Sequence, residues 1–244
     1  MPKPDVSLPH RYDKIMDAYD PEGIELDAIL KNVEFGANSR VLEVGTGEGR
    51  TALNIAPHAG DVYGIDIDEE ILKVASAKLG ESGLENVHFI EAAIRETSFE
   101  DDFFDVILCP WVLHHVDDKN AAMREVCRIL KPGGVFLSID VTGENDYIPL
   151  KGMVKPKAPE FVAKRKEEVL FAIKGSCLEI VESKSLKTYY LLKTIEEVHM
   201  FFEEFDIPYQ ELDEDYLNRF LLERKTDDGY RIGEAGHLTI ARKE

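Results

Sequence analysis

From residue 40 onward the chain alternates short runs of β-branched apolar residues with stretches of helical periodicity, the pattern of a parallel sheet covered on both faces. It predicts strands over 41–44, 62–65, 87–90, 104–108 and 135–139, with helices over 51–56, 69–79 and 120–130 between them. The last of these helices is stopped by Lys131-Pro132-Gly133-Gly134. Proline cannot continue it, and glycine supplies a positive-φ turn into the next strand. Upstream, residues 1–12 read as an arm, followed by helical patterns over 15–19 and 22–32.

After Asp140 the rhythm changes. Residues 141–159 form a loop-rich stretch with Gly143, Gly152 and three prolines, and 160–174 is helical by pattern. A long β-like segment over 178–192 leads into helices over 194–205 and 213–224, and 237–241 closes the chain as a short alternating strand. Phe201, Phe202 and Phe205 fit the core face of their helix, whereas Tyr147, Tyr189 and Tyr190 offer aromatic material for a pocket. No internal repeat breaks the series. The fold class is α/β.

Composition changes this picture only in part. At 244 residues one sizeable domain is expected, and 44% apolar residues support a packed core despite the charge. A net charge of −19 argues against nucleic-acid or anionic-membrane contact, which both need surplus Lys and Arg. The charge is uneven, and only 151–193 is basic, with 10 Lys+Arg against 5 Glu. An acidic ligand or partner surface fits there, although a solvated helix face explains it more simply. Cys109, Cys127 and Cys177 are odd in number and lack CxxC or metal spacing, so reduced thiols, a cytoplasmic location and no metal are expected. The N-terminus lacks an apolar leader pattern, and no run reaches the length of a membrane span.

The chemistry concentrates at strand ends. Glu43-Val44-Gly45-Thr46-Gly47-Glu48-Gly49 follows the first strand and opens a helix, where glycines let a ligand approach the backbone. The spacing is GxGxG, and Arg50 stands where a dinucleotide fingerprint needs its third glycine. A carboxylate at Glu43 repels a pyrophosphate and suits a cationic amino-acid ligand. Asp66 ends the next strand, where an acidic side chain accepts both hydroxyls of a ribose. Asp68, Glu69 and Glu70 read as a helix cap and first turn.

With these residues in view, VLEVGTGEG, VYGIDID, DDFFDVILCPWVLHHVDD and LKPGGVFLSID resemble, in order, the motifs of the class I S-adenosylmethionine-dependent methyltransferases. The branch they resemble most is the small-molecule, type 11-like one, and the resemblance spans residues 40–140. It implies a Rossmann-like three-layer sandwich with a seven-stranded sheet in the order 3-2-1-4-5-7-6, the last strand antiparallel. It implies one domain over 1–244, with 1–35 as a lid segment and 141–235 as a substrate-side embellishment.

The resemblance places Glu43, Gly45, Thr46, Gly47 and Gly49 at the methionine end of the cofactor, Asp66 at the ribose and Ile67 on the adenine face. It adds Ile94 against the adenine and Cys109 near the sulfur by position, with Tyr19 or Tyr12 reaching in from the lid. Ala93 stands where relatives often carry an aspartate, so the adenine amino group loses that partner. Cys109-Pro110-Trp111 lacks the acid or amide and the second proline of the motif used to methylate amide or adenine nitrogens. His114 and His115 read as structural, because adjacent residues point different ways and at most one can face a ligand. The implied activity is methyl transfer to a small molecule, with a homodimer left open. Competing readings are a non-catalytic S-adenosylmethionine-binding protein and a nicotinamide-dependent oxidoreductase. The acceptor and any catalytic base are not specified by the sequence.

Overall fold

A computed structural model describes residues 15–244, which divide into two compact units. The larger comprises Leu26–Val141, Lys164–Ser185 and Gly236–Glu244; the smaller comprises residues 15–25 with Thr142–Ala163 and Leu186–Ala235.

In the larger unit, strands β1 (Arg40–Val44), β2 (Asp61–Asp66), β3 (Val87–Glu91), β4 (Phe104–Pro110) and β5 (Leu130–Val141) are all parallel. Helices α2 (Arg50–Ile55), α3 (Glu69–Ser82) and α4 (Lys119–Ile129) connect them, preceded by α1 (Ile24–Asn32). Local sequence explains the helix starts. Asp68 accepts from the Glu70 N–H at 2.9 Å to cap α3, and Asp118 accepts from the Ala121 N–H at 2.8 Å to cap α4. The core joins Leu42, Val44, Ile107 and Phe136 of the sheet to Ala122, Met123, Val126 and Ile129 of α4. Each such buried aliphatic or aromatic side chain contributes roughly 1.5–3 kcal/mol relative to exposure.

The sheet order is β3-β2-β1-β4-β5-β8-β6, with β6 spanning Leu178–Leu192 and β8 spanning Gly229–Lys243. β8 runs antiparallel to β5 from Val135↔Arg242 to Val141↔Gly236. It takes the place expected for the last strand. The extra strand is β7 (Lys225–Thr226), a two-residue arm paired to the start of β8. β5 begins at Leu130, five residues before the expected start, and its register against β4 shifts between Phe104 and Val106. Lys131–Gly134 are the slack in that shift, with Gly133 at φ 75°.

The smaller unit contains α5 (Tyr147–Val154), α7 (Ile195–Glu204) and α8 (Glu214–Arg224), while α6 (Ala158–Lys174) divides between the units. α5 and the early start of α6 fall where a loop was expected. Pro149 and Pro159 lie in their first turns, where a missing N–H costs nothing, so they start helices here. Phe201 and Phe202 are fully buried, as their spacing predicted, and Tyr147, Tyr190, Phe201 and Phe205 pack ring against ring at 4.5–5.6 Å.

One expectation is corrected. Cys127 at the end of α4 and Cys177 before β6 form a disulfide, and only Cys109 is a free thiol. The partners lie 50 residues apart, and nothing in their spacing marks them as a pair. No described helix is long and apolar enough to cross a membrane.

Candidate functional site

The turn after β1 is built by its own backbone. The N–H groups of Gly45 and Thr46 both donate to the Ile65 carbonyl, at 2.8 and 3.0 Å, tying the turn to β2. Gly45, Gly47 and Gly49 have φ of 67°, 53° and 80°, a region that side chains rarely tolerate. Gly45 is constrained twice, because a Cβ there would overlap the Val112 side chain. At Gly47 the nearest atom to such a Cβ is 3.8 Å away, so only the conformation demands glycine.

Glu43 is buried at the end of β1. Its Oε2 accepts from the Thr46 hydroxyl at 2.6 Å and from the Ala52 N–H at 2.8 Å. Burial raises the carboxyl to about 7, against the opposing pull of hydrogen bonds from Thr46, Thr51 and Ala52. Glu43 therefore braces the turn and the start of α2.

Asp66 ends β2 beside this turn. Its Oδ2 accepts from the Gly47 N–H at 3.0 Å and its Oδ1 from the Asp68 N–H at 3.1 Å. Each oxygen keeps a further lone pair for a ligand. Ile67 follows and is 76% exposed, an apolar face presented next to a carboxylate. The Ala92 N–H donates to the Asp66 carbonyl, which brings the segment after β3 alongside. Ala93 is half-buried and bridges Glu96, whereas Ile94 is buried in the core.

Other sequence-named residues stand differently. The Cys109 thiol is wholly buried in the core, and that burial pushes its pKa well up, so only its backbone is at the strand end. Tyr19 belongs to the smaller unit, where its hydroxyl donates to Glu25 at 2.6 Å and its ring packs on Tyr190. Tyr12 lies outside the described residues.

The segment after β4 carries Trp111 and His114, both named from the sequence, and gives His114 a partner in Asp140 that the sequence did not name. Trp111 has φ 61°, uncommon for an aromatic residue, with its N–H held by the Ile139 carbonyl at 2.6 Å. His114 is buried, and both its N–H and its Nδ1 lie 3.1 Å from Asp140 Oδ1. The structural role given to His114 thus has its partner in Asp140, at the end of β5. The available signal was an acid ending a predicted strand, the same feature that singled out Asp66.

The Asp66 carboxylate, a glycine turn in left-handed conformation beside it and the exposed Ile67 suit a ligand carrying a ribose and a flat base. A carboxylate at that place opposes a pyrophosphate. No group of three or more metal-ligating side chains occurs among the described residues.

Residues 42–138 match the family model described as a methyltransferase domain. Over that span, less than half of the chain, the sequence is similar to methyltransferases. It is 41% identical over 127 residues to the uncharacterized methyltransferase YcgJ of Bacillus subtilis, covering 52% of this chain and 50% of that protein. It is 39% identical over 105 residues to the ubiquinone/menaquinone biosynthesis C-methyltransferase UbiE of Vibrio campbellii, covering 41% and 40%. The chain thus spans half or less of the length of these relatives. The crystal structure of YcgJ superposes with a TM-score of 0.60 at 24% identity over 91% of this chain and 98% of that one. A SAM-dependent methyltransferase of Aquifex aeolicus gives 0.58 at 20% identity over 92% and 97%. Both share the fold.

Proposed function

We propose that this protein transfers a methyl group from S-adenosylmethionine to a small-molecule acceptor. The observation that carries the reading is the joining of the glycine turn to Asp66 through the Gly47 N–H, next to the exposed Ile67.

When bound, S-adenosylmethionine supplies a methyl group on a cationic sulfur, activated for in-line displacement. Asp66 accepts from the ribose hydroxyls with the lone pairs left after Gly47 and Asp68. Ile67 packs on the adenine. Gly45, Thr46, Gly47 and Gly49 let the methionine end lie against the backbone, and Glu43 keeps that backbone in place. Transfer needs no protein nucleophile, so positioning of acceptor and methyl carbon supplies much of the rate. A small acceptor accords with the net charge of −19, which disfavours nucleic acid.

Calorimetric titration of the full chain with S-adenosylmethionine tests the cofactor, and methyl-labelled cofactor offered with candidate acceptors tests turnover. Saturable binding with labelled product is expected. Binding without product from any acceptor would leave a cofactor-binding protein.

A further inference from the structure

β6 is the last strand in the sheet order, so one of its edges faces no further strand. Among the described residues that edge is reached only near its end. There the Asp20 N–H donates to the Tyr189 carbonyl and the Leu191 N–H donates to the Ala18 carbonyl, each at 2.9 Å. Backbone groups alternate along a strand, so the odd-numbered residues of β6 turn their N–H and carbonyl groups to this edge. At Val181, Ser183 and Ser185 those groups meet no described residue. The same three residues are exposed, Val181 to 53%. An open edge carrying an exposed β-branched side chain is a template for another strand.

Charges usually close such an edge to association. Here Glu179, Glu182, Lys184 and Lys187 lie along β6 in an order that complements itself. Two copies laid antiparallel about a two-fold axis at Ser183 set Glu182 opposite the second copy's Lys184, and Glu179 opposite its Lys187. Ser183 then meets Ser183 and Val181 meets Ser185, all odd-numbered, so each outward N–H finds an outward carbonyl. Moving the axis one residue either way sets Glu182 against Glu182 or Lys184 against Lys184, which is destabilising. Within one chain Glu182 and Lys184 share a face of β6, 2.7 Å apart, and each side chain is 42% exposed beside the edge. The remaining charge favours the same place. In a chain of net charge −19 a second copy meets repulsion over most of the surface, and the basic stretch 151–193 contains this edge.

We propose that β6 pairs edge to edge with β6 of a second copy, antiparallel and centred on Ser183, to form a two-fold homodimer. The pairing is independent of methyl transfer.

Sedimentation equilibrium of the full chain at rising concentration tests it, with a plateau expected at twice the 27.6 kDa of one chain. Lys184→Glu sets Glu182 against a glutamate at both symmetric contacts, so the dissociation constant should rise at least about tenfold, and adding Glu182→Lys should restore it. Ser183→Pro removes an N–H aimed at the second copy, so it should leave a folded monomer. It also removes the Ser183 hydroxyl, which lies 2.8 Å from His237 Nε2; Ser183→Ala makes that loss alone and should stay dimeric. A plateau at one chain, a species larger than two chains, a dimer indifferent to Lys184→Glu, or failure of Glu182→Lys to rescue it overturns the proposal. The charge reversal and its rescue decide the question if Ser183→Pro disturbs folding. S-adenosylmethionine binding by every variant should match the unmodified chain, because β4, β5 and β8 separate β6 from β1 and β2. Failure of the dimer and failure of the cofactor reading are thus separately visible.

Discussion

Asp66 carries two tasks at once, because its carboxylate already holds the Gly47 and Asp68 N–H groups before any ligand arrives. Asp66→Ala is therefore expected to weaken S-adenosylmethionine binding by about tenfold to a hundredfold, the worth of charge-assisted hydrogen bonds to a diol. Calorimetry reads this directly, and unchanged affinity would remove Asp66 from the site. Stability should fall only slightly, since the freed N–H groups lie near the surface. Gly45→Ala tests the opposite dependence. It forces a side chain into a left-handed position and into Val112. A loss of ~2–4 kcal/mol is expected from backbone strain plus overpacking, measured by urea denaturation. A neutral Gly45→Ala would show that the turn adapts.

At the scale of elements, Glu125 on α4 clamps the loop before β4. It accepts from the Thr97 N–H and hydroxyl at 2.8 and 2.6 Å and pairs with Arg128 at 2.7 Å. Burial alone would push this carboxyl up, but the bonds from Arg128 and Thr97 prevail and hold it at about 2. A depressed carboxyl stabilises fully above its unfolded value near 4.5, and that stability is lost as pH falls toward 2. Glu125→Gln should cost about 1–3 kcal/mol at neutral pH and little near pH 2, as chemical denaturation at the two pH values would reveal. An equal cost at both would deny the clamp its ionic character.

The disulfide acts at the same scale. It closes a 50-residue loop, worth about 4 kcal/mol by chain entropy. Thiol titration of the unfolded, unreduced chain should find one thiol, Cys109. Three thiols would mean that the protein keeps Cys127 and Cys177 reduced.

These elements also mark what the sequence could show. The parallel strands and the Asp68 cap were legible because apolar runs and capping residues act locally. The glycine turn was legible because its spacing alone excludes a pyrophosphate fingerprint. α5 was hidden because Pro149 reads as a breaker until its place in a first turn is known. The first half of β8 was hidden because Gly229, Gly233 and Gly236 weaken its alternation, and its pairing with β7 is made only in three dimensions. The Cys127–Cys177 and His114–Asp140 pairs each join residues more than 20 positions apart, beyond any local pattern.

Over the whole molecule, two buried carboxyls make stability depend on pH in the direction opposite to Glu125. Glu43 in the larger unit stands at about 7, chiefly through burial. Glu234 in the smaller unit stands at about 8, again through burial, although the Tyr147 hydroxyl donates to it at 2.8 Å. Each is neutral in the folded chain at mildly acidic pH, whereas its unfolded counterpart ionises near 4.5. The stability they contribute is therefore complete below 4.5 and lost as pH rises, through about 7 for Glu43 and about 8 for Glu234. Each group lowers stability by at most about 1.4 kcal/mol per pH unit across its window. The net charge of −19 adds self-repulsion in the same direction. Melting temperature should accordingly decline from about pH 5 to pH 8, more steeply than surface titration alone gives. Glu43→Gln and Glu234→Gln keep an accepting oxygen and remove the titrating proton, so each should flatten its own part of the decline. A melting temperature that rises over this range, or a slope indifferent to both variants, would mean that these carboxyls ionise freely in the folded chain. Glu43 would then be an open anion beside the glycine turn.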